Sequence, residues 1–302
     1  MQIVEMSKLM PYVATLIAAP KARLAENNLK EAIEAMGLTQ VEASWLAVNG
    51  AADLTFTSQD PESTLKGLSA YLKDTQIDFI FQVKKNRKKK LLIADMDSTM
   101  IVEECLDELA RFKGLNQEIS HITARAMSGE MSFEAALKER VALLSGVTRE
   151  EIGQLIERLT LMPGARTLVA TMRFNGAYTA LVSGGFEPFI ESIAKRLGFD
   201  ETRANRLLMK ENCISGQLAY PVLGRDEKRR ALEEIRRARQ IPQELTLAVG
   251  DGANDLDMLL SAGLGVAYHA KPIVAQTAHA RIDHADLTAL LYAQGYRQEE
   301  FR

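Results

Sequence analysis

The chain of 302 residues contains 47% hydrophobic and 25% charged residues, which is typical of a globular protein and excludes a fully disordered or fibrous chain. Its 37 Lys and Arg against 40 Asp and Glu give a net charge of −3, so the overall positive field expected of a protein that binds nucleic acid or an anionic membrane is absent. The 2 cysteines cannot form a disulfide framework, and no uncharged apolar run reaches the roughly 18 residues of a membrane span. We therefore predict a soluble, cytoplasmic chain of two domains, or of one domain with an insertion.

The first part of the chain predicts strands and helices in the order βαββαβ. The expected strands cover residues 11–19, 41–48, 53–57 and 77–83, and the expected helices cover residues 21–36 and 61–73. This order is typical of a small ferredoxin-like α+β domain. We predict one domain over residues 1–84 and a second over residues 85–302.

A basic run joins the two predicted domains. Six of the seven residues 84–90 are Lys or Arg. No aromatic residues are interleaved and the chain is negatively charged overall, which argues against a nucleic-acid site. We expect a solvated linker.

From Leu91 onward, a Rossmann-like alternation of strands and helices predicts a doubly wound, mostly parallel sheet. Helical patterns dominate from residue 103 to about residue 161, and we interpret this block as a cap inserted after the first strand of the sheet. The later predicted elements are strand 177–182, a hairpin over 203–219, helix 226–239, strand 245–249, helix 253–262 and strand 264–268.

Three loops that follow apolar strands carry unusual polar residues: Asp95–Thr99, Ser183–Gly185 and Gly250–Asp255. Each loop alone is explained by a turn or a helix cap. In open α/β sheets, however, ligands bind beyond the carboxyl ends of the strands. Three such loops in succession therefore indicate one shared site.

The residue types in these loops indicate phosphoryl transfer. Mg²⁺ prefers oxygen ligands, which Asp95, Asp251 and the main-chain carbonyl of Asp97 would supply. The Ser183 hydroxyl and the Gly184 amide are donors that suit a phosphoryl oxygen. Asp95 is the candidate nucleophile, and Asp97 is the candidate general acid and base.

The loops DMDST at 95–99, VSGGF at 182–186 and VGDGAND at 249–255 resemble the signature loops of haloacid dehalogenase (HAD) superfamily phosphatases. The segments EECLDELA at 103–110, MSFE at 131–134, KERV at 138–141 and AKP at 270–272 further resemble the phosphoserine phosphatase family. The resemblance covers about residues 88–296. It implies a Mg²⁺-dependent hydrolase that converts O-phospho-L-serine to L-serine and phosphate through an aspartyl-phosphate intermediate, the last step of L-serine biosynthesis.

The resemblance also implies a role for each site residue. Asp95 would be the nucleophile and a metal ligand, Asp97 the general acid and base and a further metal ligand, and Asp251 the residue that completes the metal site. Ser183 and Gly184 would hold the phosphate, and Lys228 would neutralise its charge. Asn254 and Asp255 would support the phosphate site and the surroundings of the metal.

In the cap, the resemblance implies that Glu104 binds the ammonium group of the substrate and that Arg140 binds its carboxylate. This pairing suits a zwitterionic amino acid, because a guanidinium binds a carboxylate through two parallel hydrogen bonds. Met127 and Phe133 would shield the reacting group from water.

Alternative functions stay open at this point. A related enzyme would cleave another small phosphomonoester, or move phosphate to an acceptor such as homoserine to form phosphohomoserine. A protein with vestigial loops would be an amino-acid-binding regulatory module. The βαββαβ order looks like an ACT-type small-molecule module, which would bind an amino acid and form a homodimer, whereas the rival reading is a packing domain without a ligand.

Overall fold

The structure, a computed structural model, describes residues 10–127 and 130–302, except for the side chain of Met127. The strands are β1 Pro11–Ala18, β2 Val41–Ala47, β3 Ala51–Thr57, β4 Ile77–Val83, β5 Leu91–Ala94, β6 Tyr178–Phe186, β7 Glu201–Asn205, β8 Leu207–Lys210, β9 Cys213–Leu218, β10 Thr246–Gly250, β11 Leu264–Tyr268 and β12 Ala280–Ile282. The helices are α1 Glu26–Ala35, α2 Pro61–Leu72, α3 Cys105–Lys113, α4 Asn116–Met127, α5 Phe133–Leu143, α6 Arg149–Arg158, α7 Ala165–Phe174, α8 Glu187–Leu197, α9 Arg225–Ala238, α10 Leu256–Ser261, α11 Pro272–Thr277 and α12 Ala289–Ala293. Within the described ranges, none of the helices combines the length and apolar character needed to cross a membrane.

The N-terminal part is an antiparallel sheet in the order β2-β3-β1-β4, with α1 and α2 packed on one face. The predicted βαββαβ order is confirmed. Helix α2 begins where the sequence suggests, because Pro61 occupies its first turn and the Asp60 carboxylate accepts a hydrogen bond from the Ser63 amide at 3.0 Å. Residues 1–9 of the predicted first domain lie outside the described residues.

The second face of this sheet packs against the C-terminal part of the chain. Ile17, Ala51 and Ile80 belong to the same buried cluster as Leu290 and Tyr292. Alternate side chains of β1 therefore enter two different cores, which explains why the strand is buried on both faces.

The basic run at 84–90 is not the solvated linker that its composition suggests. The Arg87 guanidinium donates to both carboxylate oxygens of Asp53, at 2.5 and 3.0 Å, and to the carbonyls of Tyr292 and Ala293. Lys89 is also buried, and its ammonium donates to the Glu244 carbonyl at 2.8 Å. The expectation is wrong for these two residues because their partners come from distant parts of the chain.

The C-terminal part is built on a parallel sheet in the order β12-β11-β10-β5-β6-β7, with helices on both sides. The predicted doubly wound α/β architecture is therefore confirmed. Strand β5 comes first in sequence but lies between β10 and β6. The carboxyl ends of β5, β6 and β10 consequently meet at the point where the strand order reverses, which is where open α/β sheets bind ligands.

Helices α3 to α6 are inserted between β5 and α7, as the helical block predicts. A bridge between Ile101 and Leu161 closes the base of this cap. The predicted hairpin at 203–219 is only partly correct, because β7 joins the parallel sheet and only β8 and β9 form the hairpin. This hairpin packs against α5 and supports the cap from one side.

Candidate active site

The floor of the site is a buried lysine between two carboxylates. Asp95 follows β5, and its amide donates to the Val249 carbonyl of the neighbouring strand. The Lys228 ammonium, fully buried on α9, lies 2.6 Å from Oδ1 of Asp95 and 2.7 Å from Oδ1 of Asp255. The other Asp255 oxygen accepts the Gly252 amide at 3.0 Å. Both Asp255 oxygens thus have partners, and Lys228 contacts two carboxylates beneath the cavity.

Burial and neighbouring charges shift the pKa values of this floor. Burial raises the pKa of Asp95 well above its usual range, and the nearby Asp255 adds to the effect although Lys228 opposes it. Burial alone would lower the pKa of Lys228, but Asp255 and Asp95 outweigh burial and raise it above its ordinary value. Lys228 is therefore a permanent positive charge beside the Asp95 carboxylate.

The carboxylates of Asp95, Asp251 and Asp255 form an acidic cluster with one oxygen of each within 4.8 Å of the others. Within the described residues, one oxygen of Asp95 and one of Asp251 accept no hydrogen bond, while Thr99 donates to the other Asp251 oxygen at 3.2 Å. Burial, with help from Asp255, raises the pKa of Asp251 to about 6. Free carboxylate oxygens beside an excess of buried negative charge fit a hard divalent cation.

Asp97 lies between the start of cap helix α3 and strand β6. Its Oδ1 accepts the Cys105 amide at 3.0 Å, and its Oδ2 lies 3.4 Å from the Ser183 hydroxyl. Burial raises the pKa of Asp97, although the hydrogen bonds from Cys105 oppose this shift. A raised pKa favours a carboxyl group that carries a proton in one step and releases it in another.

The serine-glycine segment lies inside β6, not in a loop after the strand as expected. The pairing of β6 with β7 becomes irregular between Val182 and Phe186, so the strand continues past Ser183 and Gly184. A side chain at Gly185 would place its Cβ 3.0 Å from Asp97 Oδ2 and from Ser183 Oγ. Any other residue at 185 would push against these two groups, which glycine leaves undisturbed.

The cap contributes Glu104 at the start of α3. Ser98, which has a left-handed φ of 54°, donates its hydroxyl to the Glu104 carboxylate at 2.8 Å. Glu104 keeps solvent-exposed surface, but burial of its carboxylate in the pocket, followed by the charge of Asp97, raises its pKa to about 7.

Helix α5 contributes Phe133 and Arg140. Phe133 is 40% exposed, and its ring lies over Gly184 and Gly224, where a methyl group on either glycine would stand 3.4 Å from it. It is therefore a cover over the strand ends and not a core residue. Arg140 is half-buried, and burial lowers its pKa, against the charges of Asp107 and Glu104. Met127 ends α4, but its side chain lies outside the described residues.

Most of the predicted site residues line one cavity of about 150 Å³. They are Asp95, Asp97, Glu104, Phe133, Arg140, Ser183, Gly184, Asp251 and Asn254, while Lys228 and Asp255 lie directly beneath. Sequence reasoning assigned no role to Lys271, which also lines the cavity, nor to Ser98 and Thr99, which fix Glu104 and Asp251. The sequence could have indicated these residues, because Ser98 and Thr99 lie in the segment DMDST and Lys271 lies in the segment AKP.

A larger cleft of about 780 Å³ lies between α2 and β4 on one side and α11 and β12 on the other. None of the predicted site residues lines it. The converging carboxylates and cations therefore point to the smaller cavity.

Comparisons with known proteins agree with this geometry. Residues 92–260 match the family of haloacid dehalogenase-like hydrolases. A phosphoserine phosphatase from Streptomyces coelicolor is 34% identical over 96% of this chain and 70% of its own length. A solved HAD family hydrolase from Salmonella enterica serovar Typhi superposes with a TM-score of 0.84 at 28% identity, covering 93% of this chain and 98% of its own. A solved phosphoserine phosphatase with an analogue of its phospho-aspartyl intermediate superposes with a TM-score of 0.63 at 40% identity, over 68% of this chain and 98% of its own.

The chain belongs to the haloacid dehalogenase-like hydrolases and, within them, to the phosphoserine phosphatase family. The match to the Salmonella hydrolase extends over both the N-terminal sheet and the parallel sheet.

Proposed function

We propose that this chain hydrolyses O-phospho-L-serine to L-serine and phosphate through an aspartyl-phosphate intermediate on Asp95. The observation that carries this proposal is one small cavity that joins Asp95 and Asp97 to Glu104 and Arg140. The first pair supplies a nucleophile and a proton carrier. The second pair supplies an anion and a cation for the two charged groups of an amino acid.

The chemistry begins with the carboxylate of Asp95. An Asp95 oxygen attacks the phosphorus while the bond between phosphorus and the serine oxygen breaks, and Asp97 donates its proton to that oxygen. Asp97 then takes a proton from water, the water attacks the phosphorus, and the bond to Asp95 breaks to release phosphate. Lys228 offsets negative charge throughout, because it stays protonated at 2.6 Å from Asp95.

Mg²⁺ is the cation that this site is proposed to hold, through Asp95, Asp251 and the main-chain carbonyl of Asp97. The free oxygens of Asp95 and Asp251 support this assignment. Asp255, whose carboxylate accepts the Gly252 amide, adds negative charge next to these ligands. Bound there, the ion would screen the repulsion between a carboxylate and a phosphate dianion. Ser183 and Gly184 would donate to the phosphoryl oxygens, and Asn254 stands at the same edge of the cavity.

The cap is proposed to select the substrate. Glu104, fixed by Ser98, would bind the ammonium group, and Arg140 would bind the carboxylate. Phe133, together with Met127, would exclude water from the phosphorus. We further propose that the enzyme acts in the cytoplasm, at the last step of L-serine biosynthesis.

The direct test is phosphate release from a panel of small phosphomonoesters, with Mg²⁺ and with a chelator. We expect O-phospho-L-serine to be preferred over phosphohomoserine and over esters that lack the amino acid group, and we expect chelation to abolish turnover. Equal rates across the panel, or full activity with chelator, would contradict the proposal.

The division into residues 1–84 and 85–302 is proposed as the domain organisation. Because one face of the N-terminal sheet packs against the second part, a homodimer through this domain would use the exposed edge of β2 or the helical face. Sedimentation velocity of the whole chain tests for the dimer, and calorimetry with L-serine on Arg140→Ala tests whether an amino acid still binds when its active-site carboxylate partner is removed. A monomer without such binding would favour the packing role.

A further inference from the structure

The positively charged side chains in and beneath the active-site cavity differ in whether a carboxylate of the protein pairs with them. Lys228 lies between Asp95 and Asp255, so two buried carboxylates already share its charge beneath the cavity. Arg140 and Lys271 also line the cavity, and within the described residues neither has a carboxylate within ion-pair distance. The proposed function gives Arg140 the substrate carboxylate. Lys271 is left without a role.

The backbone of Lys271 is fixed by the structure around it. The residue follows β11 and immediately precedes Pro272, the first residue of α11. Its amide donates to the Asp251 carbonyl at 3.2 Å, and its carbonyl accepts the amides of Val274 and Ala275. Substitution of the side chain therefore leaves these backbone contacts in place.

The Lys271 side chain stands at the mouth of the cavity. The residue is exposed, and its positively charged side chain lines the cavity together with Glu104 and Asp251. Its ammonium group thus shares the cavity with two of the carboxylates that a bound ligand would meet. A ligand that enters between them passes close to this charge.

The cavity carries four carboxyl groups that would repel the phosphate group of its proposed substrate. Asp95, Asp97, Glu104 and Asp251 all line it, and a phosphomonoester is a dianion at neutral pH. Charges interact over a Debye length of about 8 Å at physiological ionic strength, so an exposed cation at the mouth is felt by an approaching anion. Clefts lined by one sign of charge alter the local concentration of charged substrates in this way.

We propose that Lys271 is a substrate-binding residue, the cation at the mouth of the cavity that attracts the phosphomonoester dianion and stabilises it before reaction. This rests on the proposed function of the same site. It predicts that Lys271 serves binding and not the chemical step, and that it acts on any dianionic phosphomonoester, whatever the rest of the molecule.

The test compares Lys271→Gln, Lys271→Arg and Lys195→Gln, the last removing an exposed lysine on α8 away from the cavity. Steady-state kinetics with O-phospho-L-serine and Mg²⁺ are measured at low and high salt. For Lys271→Gln at low salt we expect KM to rise about tenfold with kcat unchanged. The difference from the unmodified enzyme should shrink at high salt, Lys271→Arg should retain the low KM, and Lys195→Gln should change nothing.

An unchanged KM in Lys271→Gln, a loss that salt does not reduce, or an equal loss in Lys271→Arg would overturn the proposal. Calorimetric binding of inorganic phosphate in the presence of Mg²⁺ separates this outcome from failure of the proposed function. If the unmodified enzyme does not hydrolyse phosphoserine, the function is wrong, but weaker phosphate binding by Lys271→Gln still supports the role of Lys271. Equal phosphate binding by the two proteins refutes that role.

Discussion

The candidate site buries charged side chains whose burial would be unfavourable if each were unpaired. Asp95 and Asp255 are both buried, and Lys228 between them offsets the repulsion of the two carboxylates. Removing one member of such a set leaves an uncompensated buried charge, which costs far more than losing an exposed ion pair. The motif residues could be predicted because they directly follow apolar strands. Lys271 could not be assigned in this way, since its relation to Glu104 and Asp251 depends on three separate segments.

The variant Arg140→Ala tests how the substrate is recognised. We expect the variant to lose about 2–5 kcal/mol of transition-state binding for O-phospho-L-serine, because the substrate carboxylate would enter the half-buried cavity unpaired. For phosphoethanolamine, which has the ammonium group but no carboxylate, the loss should be much smaller. The measurement is kcat/KM for both substrates.

Lys138→Ala is the matched control for Arg140→Ala, because Lys138 lies on the same helix but pairs with Glu134 on the surface. It should leave both substrates unaffected. Equal losses for the two substrates in Arg140→Ala would mean that Arg140 does not bind the carboxylate.

Among the elements, β5, β6 and β10 determine where the chemistry can occur. Their adjacency brings Asp95 next to Asp251, although the two are far apart in sequence. Apolar runs and the alternation with helices were enough to predict these strands. The continuation of β6 through Ser183 was not predicted, because glycines usually signal a turn and the irregular pairing with β7 is a tertiary feature.

The carboxylates at the ends of β5 and β10 predict that Mg²⁺ stabilises the folded protein. Mg²⁺ should raise the unfolding temperature, since a ligand that binds only the folded state stabilises it, by about 2.7 kcal/mol at a hundredfold excess over Kd. The folded-state pKa of Asp251 is raised to about 6, so below that pH a proton occupies the carboxylate and competes with the metal. The increase in unfolding temperature should therefore be larger above pH 6 than below it.

Differential scanning calorimetry with and without Mg²⁺ measures this effect. Asp251→Asn should reduce the increase, whereas Asp74→Asn, at an exposed position in the N-terminal part, should preserve it. A pH-independent increase that survives in Asp251→Asn would place the metal elsewhere.

For the whole molecule, the buried contacts of Arg87 join the two parts of the chain. Its guanidinium binds Asp53, 34 residues earlier, and the Ala293 carbonyl, 206 residues later. Composition suggested an exposed basic linker, because nothing local marks Arg87 or Lys89 for burial. Fold class, cap and element order could be predicted from sequence patterns, but the packing of one part on the other could not.

Asp53→Ala tests this contact. We expect it to destabilise the whole chain by about 3–5 kcal/mol, because the Arg87 charge is left buried without its carboxylate. Glu62→Ala removes an ion pair with Lys66 that is 77% and 75% exposed, and it should have little effect. Chemical denaturation measures both free energies of unfolding, and equal values for the two variants would show that the Arg87 contact does not hold the parts together.

Trapping the phosphorylated enzyme tests most directly whether hydrolysis proceeds through an aspartyl-phosphate on Asp95. The chain is mixed with O-phospho-L-serine and Mg²⁺, quenched with acid during turnover, and digested for mass spectrometry. We expect one added phosphoryl group on Asp95 in the peptide that contains residues 95–99, and we expect neither that group nor turnover in Asp95→Asn. Turnover of phosphoserine without a phosphoryl group on Asp95, or an active Asp95→Asn variant, would contradict this mechanism.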